Sequence, residues 1–163
     1  MKPALLILDP QNDFFGDDNP NLAEFQTAVP TINAAIALFR QRRWPLVFVQ
    51  HSSTKKPAGS YAWAIHEQFD CRPDDTRLSK RHYNAFWETE LDALLQADGV
   101  DLVAVSGYVA EFCVLSTARG AQERGFRSAI LAEGIAGMNG RYTQFTLELS
   151  PRITLAELEA SSR

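Results

Sequence analysis

The sequence predicts a three-layer α/β/α Rossmann-like fold with a mostly parallel sheet of about five to six strands. Three apolar runs carry this prediction, because they are short and rich in leucine, isoleucine and valine, as strands buried on both faces are. They are Ala4–Leu8, Leu46–Val49 and Leu102–Val105. Segments with apolar residues at helical spacing lie between them, and this alternation favours parallel strands covered by helices.

The composition limits the classes of protein that fit. A chain of 163 residues can bury a sizeable core, and we expect residues 1–163 to form one domain. A net charge of −4 and the lack of Lys/Arg runs argue against a nucleic-acid partner. Two cysteines are too few for a disulfide framework, so a cytoplasmic location is expected. The run Ala4–Leu8 is too short for a signal or membrane segment, so we expect no membrane partner.

The first strand–helix–strand unit occupies the N-terminal third. After the first strand, the polar stretch Gln11–Pro20 is predicted to be a loop. The main helix is predicted to begin near Pro30, because proline suits the first helical position and an apolar stripe follows over residues 32–39. The second strand then ends at Gln50-His51.

The middle of the chain is less regular. Ser52–Ser79 is polar but contains aromatic residues, which fits either a functional loop or a surface that meets a partner. A short strand is predicted to end near Lys80, and a helix to cover Trp87–Ala97.

The C-terminal half contains one more clear strand–helix–strand unit. The strand Leu102–Val105 leads to a helix that we expect to begin at Cys113, and Phe126–Leu131 supplies the following strand. Residues 141–149 fit either a helix or a strand, and Arg152–Thr154 fits a short edge strand.

Three reactive side chains follow predicted strands, where open α/β sheets bind their ligands. Asp9 is either a functional carboxylate or a turn residue before Pro10, and Lys80 is either part of a site or a surface cation. Cys113 is either a small buried hydrophobic residue or a nucleophile, since the N–H groups of a first helical turn favour a thiolate.

The sequence around these positions resembles the isochorismatase-like cysteine hydrolases, a superfamily that includes nicotinamidases and N-carbamoylsarcosine amidohydrolases. The resemblance covers about residues 4–137 and is closest to the nicotinamidase-related branch. It rests on the motifs LLILDPQNDFF, FVQHSS, SKRHYNAFWETEL and SGYVAEFCVLSTARGA, which occur in the family's order.

This resemblance implies a catalytic triad and a hydrolytic reaction at an amide-like C–N bond. Cys113 would be the nucleophile, Asp9 the general base and then acid, and Lys80 the cation that holds both. The family's cis peptide maps onto Tyr108–Val109, so the N–H groups of Val109 and Cys113 would form the oxyanion hole. A thioester on Cys113 would be the intermediate.

The chain departs from the nicotinamidases at their metal site. They carry an Asp-x-His pair at the end of the second strand, where this chain has Val49-Gln50-His51. We therefore predict no catalytic metal and no cofactor. Ala110 replaces the usual threonine after the cis peptide, and Glu111 replaces an aspartate.

The remaining predictions concern the substrate and the assembly. Five residues could bind substrate or belong to the core or an interface: Phe14, His51, Trp63, Tyr108 and Phe112. Their aromatic character favours a small, flat, largely uncharged molecule. The resemblance also implies a homodimer or larger homo-oligomer. Two alternatives stay open: a vinyl-ether or imine hydrolase that uses Asp9 as the acid, and a non-catalytic oligomeric binding protein.

Overall fold

A computed structural model describes residues 1–161 and contains a six-stranded sheet with helices on both faces. The strands are β1 (Pro3–Leu8), β2 (Leu46–His51), β3 (Thr76–Lys80), β4 (Leu102–Tyr108), β5 (Arg127–Ala136) and β6 (Arg152–Ile153). The helices are α1 (Leu22–Arg42), α2 (Leu91–Ala97), α3 (Leu115–Glu123), α4 (Gly140–Glu148) and α5 (Leu155–Ala160). The predicted fold class is confirmed.

The order of strands places a crevice beside the first strand. The order is β3-β2-β1-β4-β5-β6, and each neighbouring pair is parallel. The chain builds the sheet outward from β1 in one direction and then returns to β1 to build in the other. Ligands bind at the carboxyl ends of strands where such a reversal occurs, which here is the edge between β1 and β4.

The two faces of the sheet bury separate groups of apolar residues. Successive side chains of a strand point to opposite faces. Leu6 and Leu8 of β1 pack with residues of α2 and α3, whereas Leu5 and Ile7 pack with α1. Every residue of β1 is buried, which explains its uninterrupted apolar sequence.

Helix α1 is longer than predicted, since it runs through Pro30. Pro30 and Gln26, whose carbonyl loses its usual helical donor, both lie on the exposed side of the helix. Burial of eight residues along the other side favours one continuous helix over a break at the proline. The length and composition of α1 would suit a membrane-crossing helix, but its apolar residues pack against the sheet.

Two further boundaries differ from prediction. Helix α2 begins at Leu91 rather than Trp87, which leaves Trp87 exposed. Cys113 lies in a π-helical turn, Ala110–Val114, and α3 begins only at Leu115. The ambiguous stretch after Gly140 is a helix, and the short edge strand is confirmed.

Candidate active site

The structure brings together the three strand-end residues that the sequence singled out. Lys80 Nζ lies 3.0 Å from Asp9 Oδ2 and 3.2 Å from Cys113 Sγ. Asp9 follows β1, Lys80 ends β3, and Cys113 follows β4. Since β2 separates β3 from β1, the backbone of Lys80 is about 10 Å from that of Asp9. A lysine side chain is long enough to cover this distance.

All three N–H donors of the Lys80 ammonium have a partner. The third partner is His51 Nδ1, at 3.2 Å. His51 ends β2 and pairs in register with Lys80. Burial first, and then the charge of Lys80, lowers the pKa of His51, so the ring stays neutral and Nδ1 accepts the hydrogen bond. The Lys80 side chain is fully buried, so these contacts hold a charge in the protein interior.

Asp9 is fixed by its backbone. It adopts the left-handed conformation, with φ of 51°, which is uncommon for a residue other than glycine. Its N–H donates to the Val49 carbonyl and its carbonyl accepts from the Gln11 N–H, each at 2.8 Å. These bonds turn the chain at the end of β1. The second carboxylate oxygen, Oδ1, is buried and has no hydrogen-bond partner among residues 1–161, so it can accept a proton.

The surroundings of Cys113 favour the neutral thiol. Burial, with a further contribution from the Asp9 charge, raises its pKa to about 12, although Lys80 opposes the shift. Cys113 was expected at the start of a helix, but α3 begins only at Leu115, so the favourable effect of a helix N-terminus on the thiolate stays a prediction. Cys113 lies inside the π-helical turn and is only 5% exposed, so loss of hydration outweighs the nearby positive charge.

The turn before Cys113 has the backbone form that the resemblance implies. The peptide bond Tyr108–Val109 is cis, and the Val109 carbonyl accepts hydrogen bonds from the N–H groups of Phe112 and Val114 at 3.0 and 3.2 Å. Gly107 precedes this turn with φ of 99°, and a Cβ there would collide with the Leu8 backbone. The oxyanion-hole role of Val109 and Cys113 stays a prediction.

A cavity of about 460 Å³ lies beside the Asp9–Lys80–Cys113 cluster. It lies between the end of β2, the segment after β3 and the first turn of α3. His51 joins the two, because its ring contacts Lys80 and also lines the cavity. The other lining residues are Arg81, His82, Tyr83, Asn84, Trp87 and Ser116.

Of the five predicted substrate-binding residues, only His51 lines this cavity. Tyr108 is fully buried, and its hydroxyl donates to the Phe25 carbonyl at 2.7 Å. The Phe14 ring packs against the rings of Phe25 and Tyr108. Phe14 and Tyr108 therefore pack among other aromatic side chains and do not line this cavity.

The other two candidates lie elsewhere. Trp63 lines a separate cavity of about 370 Å³. Phe112 is exposed and stacks on Tyr83, with ring centroids 5.3 Å apart.

Sequence reasoning missed most of the cavity wall and one buried polar clamp. Residues 81–84 directly follow Lys80, so adjacency to a strand-end residue was a usable signal. Gln11 is fully buried, and its side chain donates to the His51 carbonyl at 3.1 Å and accepts from the His51 N–H at 2.8 Å. Nothing in the polar loop sequence distinguishes Gln11 from its neighbours, because its role depends on contacts with β2.

The residues that the structure describes contain no group of three His, Cys, Asp or Glu side chains close enough to hold a metal ion. His66 instead stacks on Phe15, and His82 Nε2 lies 3.0 Å from Glu88 Oε2.

Comparison with known proteins agrees with this architecture. Residues 3–151 match the model of the isochorismatase domain. The chain is 28% identical over 162 residues to the uncharacterized isochorismatase family protein YddQ of Bacillus subtilis, with 96% of this chain and 86% of that protein covered.

Two solved structures illustrate the likeness. An isochorismatase-like hydrolase from Alkaliphilus metalliredigens is 24% identical, with a TM-score of 0.90 and 100% of both chains covered. N-carbamoylsarcosine amidase from Thermoplasma acidophilum is 25% identical, with a TM-score of 0.80, 94% of this chain and 95% of that chain covered. The chain belongs to the isochorismatase family and is a hydrolase.

Proposed function

We propose that this protein is a cysteine hydrolase that cleaves an amide-like C–N bond in a small molecule. One observation carries the proposal: the buried Lys80 ammonium bridges the Asp9 carboxylate and the Cys113 sulfur at 3.0 and 3.2 Å. Burial of two charges is costly, so such a pair next to a cysteine and a cavity favours a catalytic role over a structural one.

The first half of the reaction would form a thioester. Cys113 Sγ attacks the substrate carbonyl carbon while its proton passes to the Asp9 carboxylate. The N–H groups of Val109 and Cys113 would stabilise the resulting oxyanion. Asp9 then protonates the leaving nitrogen, the C–N bond breaks, and ammonia or an amine departs.

The second half would return the enzyme to its starting state. Asp9 removes a proton from water, which attacks the thioester carbon. The C–S bond breaks, the carboxylic acid leaves, and Cys113 recovers its proton from Asp9. Lys80 holds the two reacting groups in place.

The protonation of Cys113 makes the base necessary. With a thiol pKa of about 12, the thiolate fraction near neutral pH is on the order of 10⁻⁵. Direct reaction of that small fraction would be slow. Proton transfer to Asp9 during the attack removes this limit.

The named activity of a relative supports the choice of bond. N-carbamoylsarcosine amidase, which has a similar fold over nearly the whole chain, is an amidase by name. A nucleophilic cysteine with a neighbouring base also suits acyl transfer from nitrogen.

The test compares the two cysteines of the chain. Ammonia release from a panel of small amides and ureas is measured for the wild-type protein and for Cys113→Ser, with Cys71→Ser as the matched control. We expect Cys113→Ser to lose turnover by at least about 10⁴-fold, while Cys71→Ser keeps it. Full activity of a folded Cys113→Ser protein would reject the cysteine mechanism and favour the alternative in which Asp9 acts as an acid on vinyl ethers or imines.

The same panel, extended to vinyl ethers and combined with a binding assay, tests the non-catalytic alternative. Tight binding of small aromatic molecules without turnover of any amide, urea or vinyl ether would favour a binding protein. A homo-oligomeric state and a cytoplasmic location stay predictions from the sequence.

A further inference from the structure

Arg81 is an exposed arginine that lines the cavity beside the reactive cluster. It directly follows Lys80 and lines both the 460 Å³ cavity and a second cavity of about 550 Å³ formed with residues 52–54, 57 and 58. Within residues 1–161, no acidic side chain forms an ion pair with Arg81. Arg40 shows the contrast, because its guanidinium contacts both Asp70 and Asp75 at 2.5 Å.

The rest of the wall has the same electrostatic character. The seven residues that line the 460 Å³ cavity include one arginine, two histidines, one asparagine and one serine, but no carboxylate. The nearby Glu88 carboxylate is engaged by His82 at 3.0 Å. Asn84 and Ser116 can donate hydrogen bonds, and Tyr83 and Trp87 offer flat apolar surfaces. A wall of donors around a free guanidinium is complementary to an anion.

We infer that the substrate carries a carboxylate, which Arg81 binds while the scissile carbonyl lies at Cys113. This inference rests on the proposed function and narrows it to amides or ureas of small acids. His51 contacts Lys80 and lines the same cavity as Arg81, so an anion bound at Arg81 would lie near the catalytic cluster. A guanidinium can form two parallel hydrogen bonds to a carboxylate, which would fix the orientation of the molecule. The aromatic rim alone had favoured an uncharged substrate.

Binding can be measured without turnover in a Cys113→Ala background. The probes are malonamate, succinamate and glutaramate, each paired with the neutral amide that has a methyl group in place of the carboxylate: propanamide, butanamide and pentanamide. Calorimetry gives the dissociation constants. We expect at least one anion to bind about 10- to 100-fold more tightly than its neutral partner.

Three further variants in the same background assign the preference to a residue. Arg81→Gln should remove it, and Arg81→Lys should keep only part of it because the two-pronged contact is lost. Arg119→Gln, which alters an exposed arginine of α3, should leave it unchanged. Added salt should weaken anion binding in every variant that retains Arg81.

The outcomes separate this inference from the proposed function. Three results would each overturn the inference. They are equal binding of anionic and neutral probes, failure of every one of the three anions to bind at millimolar concentration, and a preference for the anion that survives Arg81→Gln. Arg81-dependent binding of an anion that the wild-type protein never hydrolyses would support the anion site and reject the amide-hydrolase proposal. If the wild-type protein hydrolyses neutral amides only, that result would support the amide-hydrolase proposal and reject the anion site.

Discussion

The two edges of the sheet hold ion pairs in opposite settings. At the carboxyl edge, Lys80 and Asp9 have side chains that are 0% and 2% exposed. At the amino edge, Arg127 and Asp101 are 3.1 Å apart, with side chains 61% and 51% exposed. An exposed ion pair loses little hydration and contributes little to the stability of the fold, whereas the attraction within a buried pair must overcome the loss of hydration of both charges. The comparison indicates that the carboxyl edge gives up stability in order to hold reactive groups.

Two glycines near the ends of β4 show the same difference. Gly99 and Gly107 both have positive φ, at 65° and 99°. An added Cβ at Gly99 meets nothing within 4 Å, but at Gly107 it would collide with the backbone of Leu8. There is open space beside Gly99, ahead of β4, and tight packing at Gly107, just before the cis peptide.

The largest expected effect comes from removing the base at the carboxyl edge. Asp9→Asn keeps the shape of the side chain but cannot take up the thiol proton, so kcat/KM should fall by about 10²- to 10⁴-fold. Asp101→Asn at the amino edge should leave kcat/KM unchanged. Steady-state assays of both variants on the same amide check this; similar values for the two would remove the distinction between the edges.

The stability of the two ion pairs should differ in the same sense. Lys80→Met leaves Asp9 buried without its cation and should lower the free energy of unfolding by about 3–5 kcal/mol. The double variant Asp9→Asn with Lys80→Met should recover most of that loss while staying inactive. Arg127→Gln should change stability by less than about 1 kcal/mol. Urea denaturation measures all three, and a small loss for Lys80→Met would contradict the account.

The glycines provide a test of the backbone. Gly107→Ala should lower the free energy of unfolding by roughly 3–5 kcal/mol, because it adds a collision to an unfavourable φ. Gly99→Ala has only the unfavourable φ and should cost about 1 kcal/mol. Thermal and urea unfolding of the pair checks the ranking; equal losses would mean that the contact between Gly107 and Leu8 is not tight.

The last test is the pH dependence of Cys113 alkylation. The pKa of the Cys113 thiol is raised to about 12. At any pH well below that value, the thiolate fraction rises tenfold for each unit by which the pH is increased. In a Cys71→Ser protein, the rate of alkylation by iodoacetamide should therefore rise steadily between about pH 6 and 9. A plateau that begins near neutral pH would show that the thiolate is already formed at rest.

The sequence was most informative where burial on both faces dictates composition. The fold class and the strand end at Asp9 could be predicted, because parallel central strands must be continuously apolar and the polar residue after such a strand stands out. Lys80 ends β3, a mostly exposed edge strand, so it lacks this signal. The continuation of α1 through Pro30 could not be predicted, since it depends on the packing of the opposite helix face against the sheet.

The chemical properties of the site were harder to predict than the identity of its three central residues. The pKa of Cys113 depends on burial within the π-helical turn, which no local pattern reveals. Tyr108 and Trp63 were candidates for substrate binding because of their expected positions near strand ends, with core or interface as the alternative. Tyr108 lies in the core and Trp63 lines a different cavity. Arg81 was missed, because its proposed role rests on its place in the cavity wall and on the lack of an ion pair to it among residues 1–161.

The central claim is that Cys113 carries the acyl group during turnover. The most direct measurement is mass spectrometry of the wild-type protein, mixed with a library of small amides and quenched in acid at successive times. The account predicts an acyl adduct on the peptide that contains Cys113, none on the peptide that contains Cys71, and release of the adduct by hydroxylamine. Steady ammonia release with Cys113 unmodified at every time, or with the adduct on another residue, would contradict it.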